Sequence, residues 1–191
     1  MKNLAVFCSG YGSNFEALCE AADKNKLGAR IAVMVCDNPA AFALKRAAKY
    51  KIPTVVLSPK LFNTRQDYEK VIVHILKNQE VDVIALAGFM RIFTPYFIKA
   101  FRGRIVNIHP SYLPAFKGAH AIRDAFDAEV KHTGVTVHLV NEKVDSGKIL
   151  MQEKVKVAAN DTPASLEKRI HAVEHKLYPK ALRLFIKQIN R

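Results

Sequence analysis

Short apolar runs rich in β-branched residues recur at Leu4 to Cys8, Ile31 to Cys36, Thr54 to Leu57, Val81 to Ala87 and Arg104 to Ile108. Between the first four lie helical patterns. Ser13 to Ala22 opens with Ser13-Asn14-Phe15-Glu16, the spacing of a capping box. Ala40 to Tyr50 is rich in Ala, and Arg65 to Lys77 sets Tyr68, Val71, Ile72 and Ile75 on one stripe. Alternation of this kind predicts an α/β fold: an open, mostly parallel, Rossmann-like sheet with helices on both faces. Such a sheet binds ligands outside the carboxyl ends of its strands. The candidate site therefore lies in Ser9 to Asn14, Asp37-Asn38, Gly88 to Arg91 and Asn107 to Pro110.

After Pro110 the pattern changes. A loop with Pro and Gly, Pro110 to Gly118, leads to a short helix near Ala119 to Phe126, and Thr133 to Val140 and Ile149 to Val157 read as antiparallel strands joined by the charged loop Asn141 to Lys148. From Thr162 a long amphipathic helix, with Pro163 in its first turn, runs to the C-terminus. The 191 residues, half of them apolar and with mean hydropathy near zero, suit one domain spanning residues 1–191 with a substantial core.

No apolar stretch approaches the roughly 20 residues of a membrane span, and the apolar start at Leu4 to Cys8 is too short for a signal peptide. Three cysteines, Cys8, Cys19 and Cys36, form no CxxC pair, which suits a reducing, cytoplasmic setting. Thirty Lys and Arg against seventeen Asp and Glu leave a net charge of +13, which attracts phosphates or carboxylates. The basic residues are scattered, with no run interleaved with aromatics, so the expectation is a small anionic substrate rather than nucleic acid.

Three segments carry chemistry. Ser9-Gly10-Tyr11-Gly12-Ser13-Asn14 joins a strand to a helix, where glycines and free amides form an anion cradle. A dinucleotide fingerprint needs a third glycine where Phe15 stands; Asp37 is placed for a ribose hydroxyl in that reading, and a plain tight turn is a further alternative. A single phosphate monoester fits best. In Asn107-Ile108-His109-Pro110, strand alternation sends Asn107 and His109 to one side, an amide and an imidazole suited to a developing oxyanion. Val144-Asp145-Ser146-Gly147 is a turn whose carboxylate favours a charged imidazole if it reaches His109, though Asp before Ser-Gly is more often only a turn former. Elsewhere, His171-Ala172-Val173-Glu174-His175 matches a zinc-peptidase pattern but has no Asp or Glu after His175 to supply the further ligand. Ala87-Gly88-Phe89-Met90-Arg91 reads as a core strand with its cap, or as one wall of a slot for a flat heterocycle.

Taken in register, Ser9-Gly10-x-Gly12-Ser13-Asn14, Leu86 to Arg91, Asn107-Ile108-His109-Pro110-Ser111, Thr136-Val137-His138 and Asp145-Ser146-Gly147 strongly resemble the phosphoribosylglycinamide formyltransferase family of folate-dependent enzymes. The resemblance runs nearly end to end. It implies transfer of a formyl group from 10-formyltetrahydrofolate to the amine of glycinamide ribonucleotide in purine synthesis, through a tetrahedral intermediate and without a metal. By position, Asn107, His109 and Asp145 are the implied catalytic group. Gly12, Ser13 and Asn14 are implied to hold the phosphate and Glu174 the ribose hydroxyls. Met90, Arg91, Ile92 and Phe93, with Asn107, are implied to line the pterin pocket, and Arg65 to face the folate's glutamate tail. The chain departs from the family pattern at Tyr112, Lys148 and Phe93. Methionyl-tRNA formyltransferases usually add a C-terminal barrel and formyltetrahydrofolate hydrolases an N-terminal domain; this chain's length argues against both. A non-catalytic phosphate- or RNA-binding module is the alternative outside enzymes.

Overall fold

The computed structural model describes residues 1–189. In chain order these form β1 (Lys2–Cys8), α1 (Ser13–Asp23), β2 (Ala29–Cys36), α2 (Ala43–Lys49), β3 (Thr54–Val56), a 3-10 turn at Pro59–Leu61, α3 (Arg65–Asn78), β4 (Val83–Leu86), α4 (Pro95–Ala100), β5 (Ile105–His109), α5 (Ala121–Asp127), β6 (His132–Leu139), β7 (Ile149–Lys156) and α6 (Pro163–Ile189). The strands make one sheet in the order β3-β2-β1-β4-β5-β6-β7. Pairs among β1 to β5 are parallel, and β6 and β7 are antiparallel. From β1 the chain steps outward to β3, then returns to lay β4 on the other side of β1. That reversal opens a crevice beyond the carboxyl ends of β1 and β4. There the Ser9 amide donates to the Gly88 carbonyl at 3.1 Å, and the Met90 amide donates to Ser9 Oγ at 3.0 Å.

Period-two alternation on strands buried from both sides builds two cores. Leu4, Val6 and Cys8 face α1 and α6, whereas Ala5 and Phe7 face α3 and α4. The second core contains a run of aromatic rings, Phe89, Phe93, Phe97 and Phe101, with successive centroids 5.5, 4.0 and 5.4 Å apart and Phe7 edge-on to the first three. Each such pair adds about 0.5–1.5 kcal/mol beyond its buried area. In the first core, the Tyr178 hydroxyl of α6 lies 2.9 Å from the Leu86 carbonyl and 3.0 Å from that of Val106, pinning the helix to the ends of β4 and β5. Cys8, Cys19 and Cys36 are buried and unpaired, and burial pushes the Cys19 thiol up to about 12.

One local expectation is corrected, and one helix lies beyond the sequence reading. The Ser13–Glu16 capping box does not form, because the N-cap is Gly12, in the left-handed region at φ 75°. Glu16 instead pairs with Arg46 and, at 2.9 Å, with Lys49 on α2. A Cβ at position 12 lies 2.7 Å from the Ala43 Cβ, so α2 packs directly on the loop and only glycine fits. The helix beyond that reading is α4, six residues between β4 and β5 and too short to display a period. Its signal is Thr94-Pro95, and it is capped from another helix: Glu69 on α3, 1% exposed, accepts from the Thr94 amide at 2.8 Å and from its hydroxyl.

Candidate active site

Residues 105, 107 and 109 of β5 alternate with Val106 and Ile108, which pack in the α1/α6 core. Antiparallel pairing then sets Asn107 opposite His138 and His109 opposite Thr136. Side chains from both strands converge: Asn107 Nδ2 lies 3.2 Å from His138 Nε2, and His138 Nδ1 lies 2.9 Å from the Leu139 carbonyl. A carbonyl can only accept, so His138 Nδ1 carries its hydrogen, and Nε2 is the nitrogen turned toward the Asn107 amide group.

Asp145 closes the arrangement. Oδ1 stands 3.5 Å from His138 Nε2, Oδ2 stands 3.5 Å from His109 Nδ1, and Oδ2 accepts from the Gly118 amide at 2.9 Å. His109 Nε2 lies 2.8 Å from the Phe116 carbonyl. Both ring nitrogens of His109 therefore face acceptor-only groups, and a ring with a proton on each nitrogen satisfies both. His109 and His138 are 5% and 2% exposed, so this charge geometry operates with little water. Burial pushes the Asp145 carboxyl up, but the His138 contact, the Gly118 amide and the charges of His109 and His138 outweigh it and hold the group below its ordinary range.

Backbone detail explains how Asp145 reaches this position. Its own φ is 46°, a left-handed conformation that Asp tolerates better than most residues. Two residues on, a Cβ at Gly147 lies 1.6 Å from the Leu139 carbonyl oxygen, so the turn returns against β6 only because position 147 has no side chain. The facing loop after β5 is held by Thr136, whose Oγ1 donates to the Ser111 carbonyl at 2.7 Å and accepts from the Leu113 amide at 3.1 Å and from Gln152 Nε2 at 2.9 Å. Lys117 Nζ donates to Ser146 Oγ at 2.7 Å, joining the two loops.

At the β1–α1 turn, Gly12 in its left-handed conformation leaves the amides of Ser13, Asn14 and Phe15 at the start of an eleven-residue helix, without hydrogen-bond partners among the described residues. Such a group of N–H donors with the helix dipole behind it suits an anion. Asn14 is the second residue of α1, and its Nδ2 donates at 3.0 Å to Glu174 Oε2, so the cradle and α6 meet across the sheet end. Asn14 Oδ1 is buried with no partner, and Glu174 Oε1 accepts no hydrogen bond among the described residues.

The Met90–Phe93 segment follows β4 on the opposite side of the crevice. Met90 and Ile92 are 70% and 60% exposed, an apolar surface beside the site. Phe93 is different: its ring is buried in the aromatic run, so only its backbone can border a ligand. Arg91 Nε pairs with Asp37 Oδ2 at 2.5 Å, which engages the carboxylate that a dinucleotide ribose would need. Arg65 Nη1 reaches the Ile92 carbonyl at 3.4 Å, bringing α3 to the same segment. His138, Thr136 and the Gly118 amide did not emerge from sequence reasoning as site groups. Thr136-Val137-His138 entered the sequence reading as a motif of the family resemblance with no role attached, and its alternation becomes informative about the site only once its pairing partner is known.

Residues 2–182 match the formyl transferase family. Over all 191 residues the chain is 42% identical to the phosphoribosylglycinamide formyltransferase of Bacillus subtilis (strain 168) and covers 98% of it. It is 40% identical over 181 residues, 95% of its length, to the trifunctional purine biosynthetic protein adenosine-3 of Homo sapiens, of which it spans 18%. Among solved structures, phosphoribosylglycinamide formyltransferase from Bacillus halodurans superposes with a TM-score of 0.95 at 42% identity, covering 98% of this chain and 97% of that one.

Proposed function

The chain belongs to the formyl transferase family, and from that premise we propose that it transfers a formyl group from 10-formyltetrahydrofolate to the amine of N1-(5-phosphoribosyl)glycinamide, a step of purine biosynthesis. The observation that carries the reading is the meeting of Asn107, His109 and Asp145, from β5 and the β6–β7 loop, beside an anion cradle at the same sheet edge.

The folate supplies the formyl group when bound. The exposed side chains of Met90 and Ile92 and the backbone of Arg91 and Phe93 offer an apolar wall for its flat ring, with Asn107 at the reacting end and the Arg65 guanidinium toward its glutamate tail. On the other side, Gly12, Ser13 and Asn14 hold the ribonucleotide's phosphate at the α1 N-terminus. Glu174 Oε1 and Asn14 Oδ1, two acceptors without partners in the described residues, match the two hydroxyl donors of a ribose.

The neutral amine attacks the formyl carbon, and negative charge develops on the formyl oxygen. Asn107 Nδ2 and the protonated His109 Nδ1 donate to that charge from a nearly dry pocket. Removing one such donor typically costs about 3–4 kcal/mol of barrier. Because Nε2 is tied to the Phe116 carbonyl, Nδ1 is the working nitrogen, and Asp145 faces it. The ionised Asp145 faces the ring and accepts, directly or through a water, the proton released by the amine; collapse of the tetrahedral intermediate breaks the bond from the formyl carbon to the folate nitrogen, and that proton passes to the departing nitrogen. A formyl-transfer assay with both substrates tests the reaction. Turnover that requires both and fails without the ribonucleotide supports it; salt-dependent RNA binding without turnover supports the non-catalytic alternative.

A further inference from the structure

His171, beside Glu174 at the far side of the anion cradle, has no part in the steps above. Glu174 is 3% exposed, and its Oε2 accepts two hydrogen bonds, from Asn14 Nδ2 at 3.0 Å and from His171 Nδ1 at 2.7 Å. The two donors approach one oxygen, which leaves Oε1 without a partner among the described residues. A buried carboxylate needs such donors both to stay ionised and to hold one orientation. His171 is itself restrained: Nε2 lies 3.5 Å from Glu167 Oε1, and its ring is parallel to that of His175, with centroids 6.2 Å apart. All four residues stand on α6, one or two turns apart, so the helix presents a row that ends on Asn14 of α1.

We propose that His171 is a positioning residue for the ribonucleotide: by donating to Glu174 Oε2 it aims Glu174 Oε1 at a ligand's vicinal diol. This rests on the reading of Glu174 as the group that takes the ribose hydroxyls. The apparent zinc pattern His171-x-x-Glu174-His175 thus has a different use, in which the first histidine orients the carboxylate one turn later. Hydrogen bonding to Glu174 is also the main reason that the His171 pKa is raised, which marks the contact as one that favours the charged ring.

The test is steady-state kinetics on the full chain carrying His171→Ala, His171→Gln, Glu174→Ala and the double change to Ala. Two ribonucleotide substrates are compared, one with the ribose hydroxyls and one 2′,3′-dideoxy analogue. The expected result for His171→Ala is a roughly tenfold rise in KM for the normal ribonucleotide, the scale of one charge-assisted hydrogen bond, with kcat and the folate KM within about twofold. Gln at 171, which keeps a donor, restores most of the loss. The effect disappears with the dideoxy analogue and adds nothing to Glu174→Ala. An unchanged KM in His171→Ala beside a raised one in Glu174→Ala overturns the inference and leaves the role of Glu174 standing. An unchanged KM in both overturns the role of Glu174 and the inference with it. Equal KM changes for the two ribonucleotides mean that His171 serves only the packing of α6, which also overturns it.

Discussion

Asn107 and His138 stand directly across the β5–β6 pair, with Asn107 Nδ2 3.2 Å from His138 Nε2. Because His138 Nδ1 is committed to the Leu139 carbonyl, the ring that meets the Asn107 amide is itself fixed to a strand rather than to a loop. Asp145 then touches both histidines, so one carboxylate on a loop is placed by two buried rings. The activity predicted for this site follows from how tightly that set is held.

Replacing His109 by Ala, or Asp145 by Asn, is expected to lower turnover by about 100-fold or more, the scale of losing charge stabilisation or the proton acceptor. Steady-state kcat measured at saturating substrates checks each. A variant retaining near-wild-type kcat does not support the role assigned to that residue.

Ser13→Asp is expected to raise the KM for the ribonucleotide by about tenfold or more while leaving the folate KM nearly unchanged, since a carboxylate in the first turn of α1 repels a phosphate at the free amides. Paired KM measurements decide it, and equal shifts in both place the phosphate elsewhere.

Gly147→Ala is expected to destabilise the fold by about 1–3 kcal/mol and to lower turnover, because its Cβ sits 1.6 Å from the Leu139 carbonyl oxygen and the turn bearing Asp145 has to move. Urea unfolding gives the first quantity and kcat the second. Unchanged kcat in a destabilised variant means that Asp145 keeps its place by other contacts.

Acid acts through Asp145 with a definite sign. Its pKa is held below the ordinary carboxyl range in the folded protein, so the stability it contributes is full above that range. That contribution fades as pH falls from about 4, the unperturbed value, through the lower folded value. The melting temperature of the wild type is therefore expected to exceed that of Asp145→Asn at pH 7, and the gap to narrow below about pH 4. Calorimetry of both proteins between pH 7 and pH 3 measures it, and a gap that widens on acidification contradicts the assigned direction.

Much of this architecture was legible in the chain. The five apolar runs and the helical stripes between them report short-range periodicity, and β1 to β5, α1 and α3 appear within a few residues of where that periodicity puts them. Asn107 and His109 share a face because a strand has a period of two, which pairing does not alter. Two features escaped for reasons of range. The N-terminus of α1 follows the packing of Ala43 on Gly12 rather than the local Ser-x-x-Glu signal, since tertiary contact outweighs a cap of about 1 kcal/mol. Helix α4 depends on a carboxylate supplied by α3.

The sequence by itself determined the parallel βα scaffold, the glycine-bearing turn at its first switch and the types of group available for chemistry, because each is encoded within a few neighbouring residues. Tertiary structure alone decided that Asp145 meets His109, that His138 receives Asn107 and that Glu174 reaches Asn14 across 160 positions of chain. Those contacts depend on strand register and on a turn that closes only at Gly147. Both are non-local, and no period or spacing in the chain records them.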